Sequence, residues 1–156
     1  MAAHFTTTRN CELSTLKYLE TNLGVDWAGV NIVKSWTELA NKTNPIVCVE
    51  LEETEYVRHE IGSTAYRDTY IFTIDVFATS NGMRLDLSQY VMDKIMTGWV
   101  YYTISRGAGK TMNYVSAGRC SLDQILDNSK VPVNASSAAR DKYRQSIVIS
   151  VRVGVV

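Results

Sequence analysis

The sequence predicts an α+β domain: an antiparallel sheet of four or more strands, two main helices packed on one face, and a long charged hairpin. Three observations point there. Residues 67–79, RDTYIFTIDVFAT, place Tyr70, Phe72, Ile74, Val76 and Ala78 on even positions and Thr69, Thr73, Asp75 and Thr79 on odd ones, with Ile71 and Phe77 as exceptions. A period of two belongs to a strand with one face on a core and the other wet. Leucines 13, 16, 19 and 23, and later Leu87, Val91 and Ile95, recur three or four residues apart, as on the buried stripe of a helix. The order helix, strand pair, helix, strand pair suits helices gathered on one side of an antiparallel sheet.

The 156 residues suit a single domain over 1–156, which at this size buries roughly 70% of its unfolded surface without covalent staples. Hydrophobic residues are 46% and charged residues 21%, ordinary globular usage that argues against disorder. Sixteen basic residues balance sixteen acidic ones, so no bulk charge draws the chain to nucleic acid or an anionic membrane. No apolar run approaches the ~20 residues that cross a bilayer. The start, MAAHFTTTRN, lacks the features of a signal peptide, so the expected compartment is the one of synthesis. Cys11, Cys48 and Cys120 show no CxxC spacing and no neighbouring histidine. They read as buried, idle thiols, with an intermolecular disulfide as the minority alternative.

Residues 10–23 form the first helix, with Thr8 or Asn10 available as cap and Gly24 past the end. Val30, Ile32 and Val33 suggest a short strand leading to Trp36 and Leu39, and Asn44-Pro45 breaks the chain. In IVCVELE, Val47, Val49 and Leu51 alternate with Cys48, Glu50 and Glu52, a second strand. Residues 53–67 are crowded with charge and read as the connection of a long hairpin, either a solvated tip or an arm that contacts a neighbouring subunit. The central strand over 67–79 would run roughly 40 Å at ~3.3 Å per residue. It leaves more edge than a small domain covers alone, and a partner chain is one way to cover it.

After Ser80, Asn81 and Gly82 comes the second helix, capped by Asp86 or Ser88 and closed by Gly98. Residues 99–104 suggest a strand, 105–118 a polar segment, 119–126 either strand or helix, and 128–140 a loop. From Tyr143 to the end, Ile147, Ile149, Val151, Val153 and Val155 share one parity. This closing strand needs a partner for its backbone, and the central strand is the expected one.

Few residues suggest chemistry. Gly109, Lys110 and Thr111 look like the end of a P-loop, but Ile104 stands where its first glycine is required, and no helical stripe follows. A basic surface turn is the plainer reading, with a nucleotide-binding enzyme as a distant alternative. His4 and His59 lie far apart, which leaves little for a metal or a catalytic triad. Glu52, Glu53 and Glu55 read as a solvated acidic edge. Trp27, Trp36 and Trp99 read as core or half-core. The sequons at Asn41 and Asn134 carry no weight without a secretory signal. Lys130, Arg140, Lys142 and Arg144 could face an anionic partner, with only Tyr143 among them to stack on a base. No catalytic residue, cofactor or metal ligand is expected.

The arrangement resembles the tail-terminator (tail-completion, or tail-to-head joining) proteins of long-tailed bacteriophages. The resemblance rests on the first helix, the acidic strand IVCVELEE, the charged hairpin, RDTYIFTIDVFATSNG, the helix LDLSQYVMDKIMTG and the closing strand DKYRQSIVISVRV. It covers most of the chain by element order and rests on no single motif. The family implies a structural virion protein, assembled in the host cytoplasm and resident in the tail or neck. It would form a ring, six-fold in the family, on the head-proximal end of the tail tube, end tube polymerisation and meet the head connector. Its partners would be copies of itself, the tail tube protein and the connector, with genomic DNA passing through the lumen unbound. The segment 99–139 is longer than the family pattern. Glu50, Glu52, Glu53, Glu55, Arg58, Glu60, Arg67 and Asp68 are the expected subunit contacts. The alternatives are a head-side neck or head-closure adaptor and, outside virion structure, a dimer formed through the sheet edge.

Overall fold

A computed structural model describes residues 3–58, 61–62, 66–133 and 139–155. Two helices, α1 (Thr7–Asp26) and α2 (Asn81–Met96), lie with seven strands: β1 (Ala3–His4), β2 (Asn31–Val33), β3 (Ile46–Arg58), β4 (Tyr66–Phe77), β5 (Trp99–Arg106), β6 (Met112–Lys130) and β7 (Arg144–Val155). The strands form one sheet in the order β1-β5-β6-β7-β4-β3-β2. The fold is α+β with both main helices on one face. The sheet is mixed, because β2 runs parallel to β3, pairing Asn31–Val33 with Ile46–Cys48. The expected wholly antiparallel sheet fails there, since the connection from β2 passes through a 3-10 turn (Trp36–Asn41) and returns to the same end of the sheet.

The alternation in β4 has the predicted effect. Tyr70, Phe72, Ile74 and Val76 are buried against Leu19 and Leu23 of α1, Leu87, Val91 and Ile95 of α2, and Ile147, Ile149 and Val151 of β7. We call this the helix face. The opposite, outer face is not uniformly wet. Phe77 joins Val33, Leu39, Ile46 and Cys48 in a second, smaller cluster beneath the 3-10 turn. Beside it Asp75, 1% exposed, accepts from Arg144 Nε at 3.0 Å, and the Arg144 guanidinium lies over the rings of Trp36 and Phe77. Trp99 is buried, Trp27 packs at the margin of the main core and Trp36 stays partly exposed, as half-core tryptophans should.

Both helices begin earlier than expected. Thr6 and Ser80, in extended backbone, cap them by accepting from Arg9 and Met83 amides. The predicted caps Thr8, Asn10, Asp86 and Ser88 all sit inside a helix, and α1 runs through Gly24 to Asp26. Gly98 does follow α2: at φ +70° its added Cβ would lie 2.9 Å from the Cys120 carbonyl oxygen, so glycine is required. The three cysteines are free and buried, as read from sequence. Burial, with Glu50 and Asp75 nearby, pushes the Cys48 thiol up to about 12. A hydrogen bond with Cys120 and then burial push Cys11 up.

The larger departures are in the strands. The segments read as a polar stretch, an undecided stretch and the start of a loop are one 19-residue strand, β6. Its first half pairs with β5 and its second with β7, and only residues 118–120 pair with both. The hairpin connection expected over 53–67 is shorter, because β3 continues to Arg58 and β4 starts at Tyr66. The central strand ends at Phe77, two residues before the expected Thr79. The closing strand pairs with β4, as expected, and with β6.

Candidate oligomer interface

The candidate surface is built by the irregular pairing of β3. Up to Leu51 the strand keeps a regular antiparallel register with β4, Glu50 opposite Thr73 and Leu51 opposite Phe72. A bulge at Glu52 then sets Glu53 opposite Ile71 and Glu55 opposite Thr69. An extra residue reverses the parity of all that follows. Glu50, Glu53, Glu55 and Arg67 thereby share the outer face, while Tyr56 and Asp68 turn to the rim of the helix face, where Asp68 accepts from the Tyr70 hydroxyl at 3.3 Å.

Of the eight predicted contact residues, Glu52, Glu53, Glu55 and Arg67 are exposed, and Glu50 and Asp68 are half-buried. Arg58 lies on β3 opposite Tyr66, and Glu60, with His59, lies outside the described residues. The structure therefore brings together Glu50, Glu53, Glu55 and Arg67 and separates Asp68 from them. Partial burial and the charges of Glu52, Asp75 and Glu12 hold the Glu50 carboxyl above its ordinary value. Among the described residues none of these four glutamates is paired with a cation within 4 Å. This edge is acidic, with Arg67 as the described cation on the same face.

β2 covers β3 only as far as Cys48, so residues 49–58 carry no strand on their outer side among the described residues. Sequence reasoning missed two further residues of this region, Asp123 and Arg152. They form an ion pair at 2.6 Å and line a groove of about 270 Å³ across the outer face, with Glu55, Arg67 and Ile71 on its other wall. Arg152 was legible as a polar residue of β7, but Asp123 was not, because it is the extra residue of a bulge in β6.

The other sequence candidates are placed less suggestively. The Gly109-Lys110-Thr111 segment is a 3-10 turn, Ala108–Lys110, with positive φ at Gly109 and Lys110, and it leads directly into β6. A strand in that place does not aim a helix N-terminus at a phosphate. Arg144 is engaged with Asp75, Lys130 ends β6 opposite Gln145, and Arg140 and Lys142 belong to a short 3-10 turn (Ala139–Tyr143) that leads into β7. Among the described residues no His/Cys/Asp/Glu group is arranged to hold a metal, and no helix is long and apolar enough to cross a membrane. Comparison of the sequence with protein-family models and with curated proteins gives no match.

Proposed function

We propose that this chain is a structural ring subunit of a bacteriophage tail. In this reading it caps the head-proximal end of the tail tube, ends tube growth and presents a surface to the head connector. The observation that carries the reading is the uncovered, acidic outer edge of β3 over residues 49–58. A soluble monomer normally covers, shortens or breaks such an edge. An edge of this length left open on a folded domain suits completion by another copy, and a heterologous contact of that kind closes into a ring when its rotation permits. The sequence resemblance to tail terminators supplies the place of that ring.

Negative-stain images and native mass measurement of the purified protein test the proposal, together with tube length when the protein is added to polymerising tail tube subunits. Rings and arrested tubes are expected. A monomer at high concentration that leaves tube length unchanged overturns the reading. Recovery with tail-less heads, and absence from purified tails, would move the protein to the head side of the joint.

A further inference from the structure

The opposite margin of the sheet holds the surface that this edge requires. That margin is formed by β1, β5 and the second half of β6. Along β5 it is closed by the chain itself: the amide of Tyr102 donates to Ser14 Oγ at 3.0 Å, that of Ile104 donates to Asn10 Oδ1 at 3.2 Å, and Ile104 O accepts from Phe5 N at 3.2 Å. β5 reaches only as far as Cys120, so residues 121–130 of β6 pair with β7 on one side and with no strand on the other among the described residues. Among the described residues there is therefore a second open edge of the same length as the first, on the other side of the sheet.

The registers show that the two edges are level. Read across the sheet, Val49 pairs with Ile74, Ile74 with Ile147 and Ile147 with Asn128, while Glu55 leads through Thr69 and Arg152 to Ser121. A rotation about an axis parallel to the strands, without displacement along it, brings one copy's 49–55 beside the next copy's 128–121. The two strands would then run antiparallel, since β3, β7 and β5 share one direction and β4 and β6 the other.

Of the charges on these edges, Arg119 stands two residues before Ser121 on β6, beside the level of Glu55, while Glu50 is level through Thr73 and Val148 with Asp127. Of the acids on the second edge itself, Asp123 is neutralised by Arg152, and Asp127 accepts from Ser129 Oγ at 2.8 Å. Such a contact, unlike an isologous one, uses different surfaces on the two partners and propagates until it closes.

We infer that the occupant of the open β3 edge is the 121–130 edge of β6 from a second copy, so that the sheet continues from subunit to subunit. The inference rests on the ring reading and names both halves of its contact. Directly opposed residues of antiparallel strands bring their Cβ atoms to about 4.5–5.5 Å, near enough for a disulfide after slight adjustment. Two cysteine pairs test it in the full chain, Glu55→Cys with Ser121→Cys and, two positions along the register, Glu53→Cys with Gln124→Cys. The buried native thiols leave a low background.

On mild oxidation each double variant should give a ladder of covalent oligomers on a denaturing gel, and each single variant should remain monomeric. A mixture of E55C and S121C proteins should stop at dimers. Two outcomes overturn the inference while sparing the ring reading: no ladder from either double variant although the parent remains a ring by native mass, or homodimers from a single variant. A parent protein that is monomeric by native mass overturns both.

Discussion

At the scale of single residues, the most consequential group away from the open edges is Asp75. Its carboxylate is nearly inaccessible, at 1% side-chain exposure, and is held by Arg144, itself 19% exposed. Removing one member of a buried pair leaves the other uncompensated, at a cost of about 3–5 kcal/mol. Arg144 retains some solvent and two aromatic faces, so Asp75→Ala should fall near the lower end, about 3 kcal/mol by urea unfolding. The double variant Asp75→Leu with Arg144→Met should recover most of that loss. Glu50 makes the opposite case. Its folded-state carboxyl is raised by partial burial and by neighbouring carboxylates, so the fold favours the protonated form. Glu50 therefore adds stability at pH values below its unfolded value, and that contribution is lost as pH rises through the folded value. Glu50→Gln should raise the melting temperature at pH 7, and its advantage should vanish below about pH 4, where free glutamate is itself protonated. A variant less stable than the parent at pH 7 would contradict this sign.

At the scale of elements, β4 and β7 were legible because most of their apolar residues share one parity, Ile71, Phe77 and Val148 excepted, and no bulge interrupts their mutual register. β6 was not. Its register shifts at Ala117, Asp123 and Leu126 break the period three times in one strand, so no window long enough to show alternation survives. The same physics hid the true length of the charged hairpin: the bulge at Glu52 reverses parity, and a strand exposed along its outer edge carries the charges of a loop. The acidic residues of this edge could be named from composition, but the shared outer face of Glu50, Glu53, Glu55 and Arg67 could not, because it depends on that bulge. Helix α1 holds another feature without a periodic signal. Asn10, Ser14 and Thr15 are buried, and the first two cap β5. Replacing Asn10 by Leu leaves the Ile104 amide and the Phe5 carbonyl without their partner, which should cost about 1–3 kcal/mol for a buried unsatisfied group. Thermal unfolding should show that loss, and light scattering should show aggregation as a third edge opens.

At the scale of the whole molecule, the order of the strands differs from the order of the chain. β7 follows every other element in sequence and yet occupies the fourth of seven places across the sheet. Its two neighbours, β4 and β6, have no bond to each other in the finished sheet, so without β7 the ribbon β2-β3-β4 and the ribbon β1-β5-β6 are separate pieces. Each would expose apolar faces and unpaired borders to whatever else is nearby. On the ribosome both pieces are made before the strand that joins them, and the closing contacts span long stretches of chain, Thr69 to Arg152 for example. Such topologies assemble slowly and are prone to capture while incomplete. The polypeptide thus spends its synthesis as two unfinished halves, and its yield in a cell depends on how well they are shielded until the keystone strand emerges.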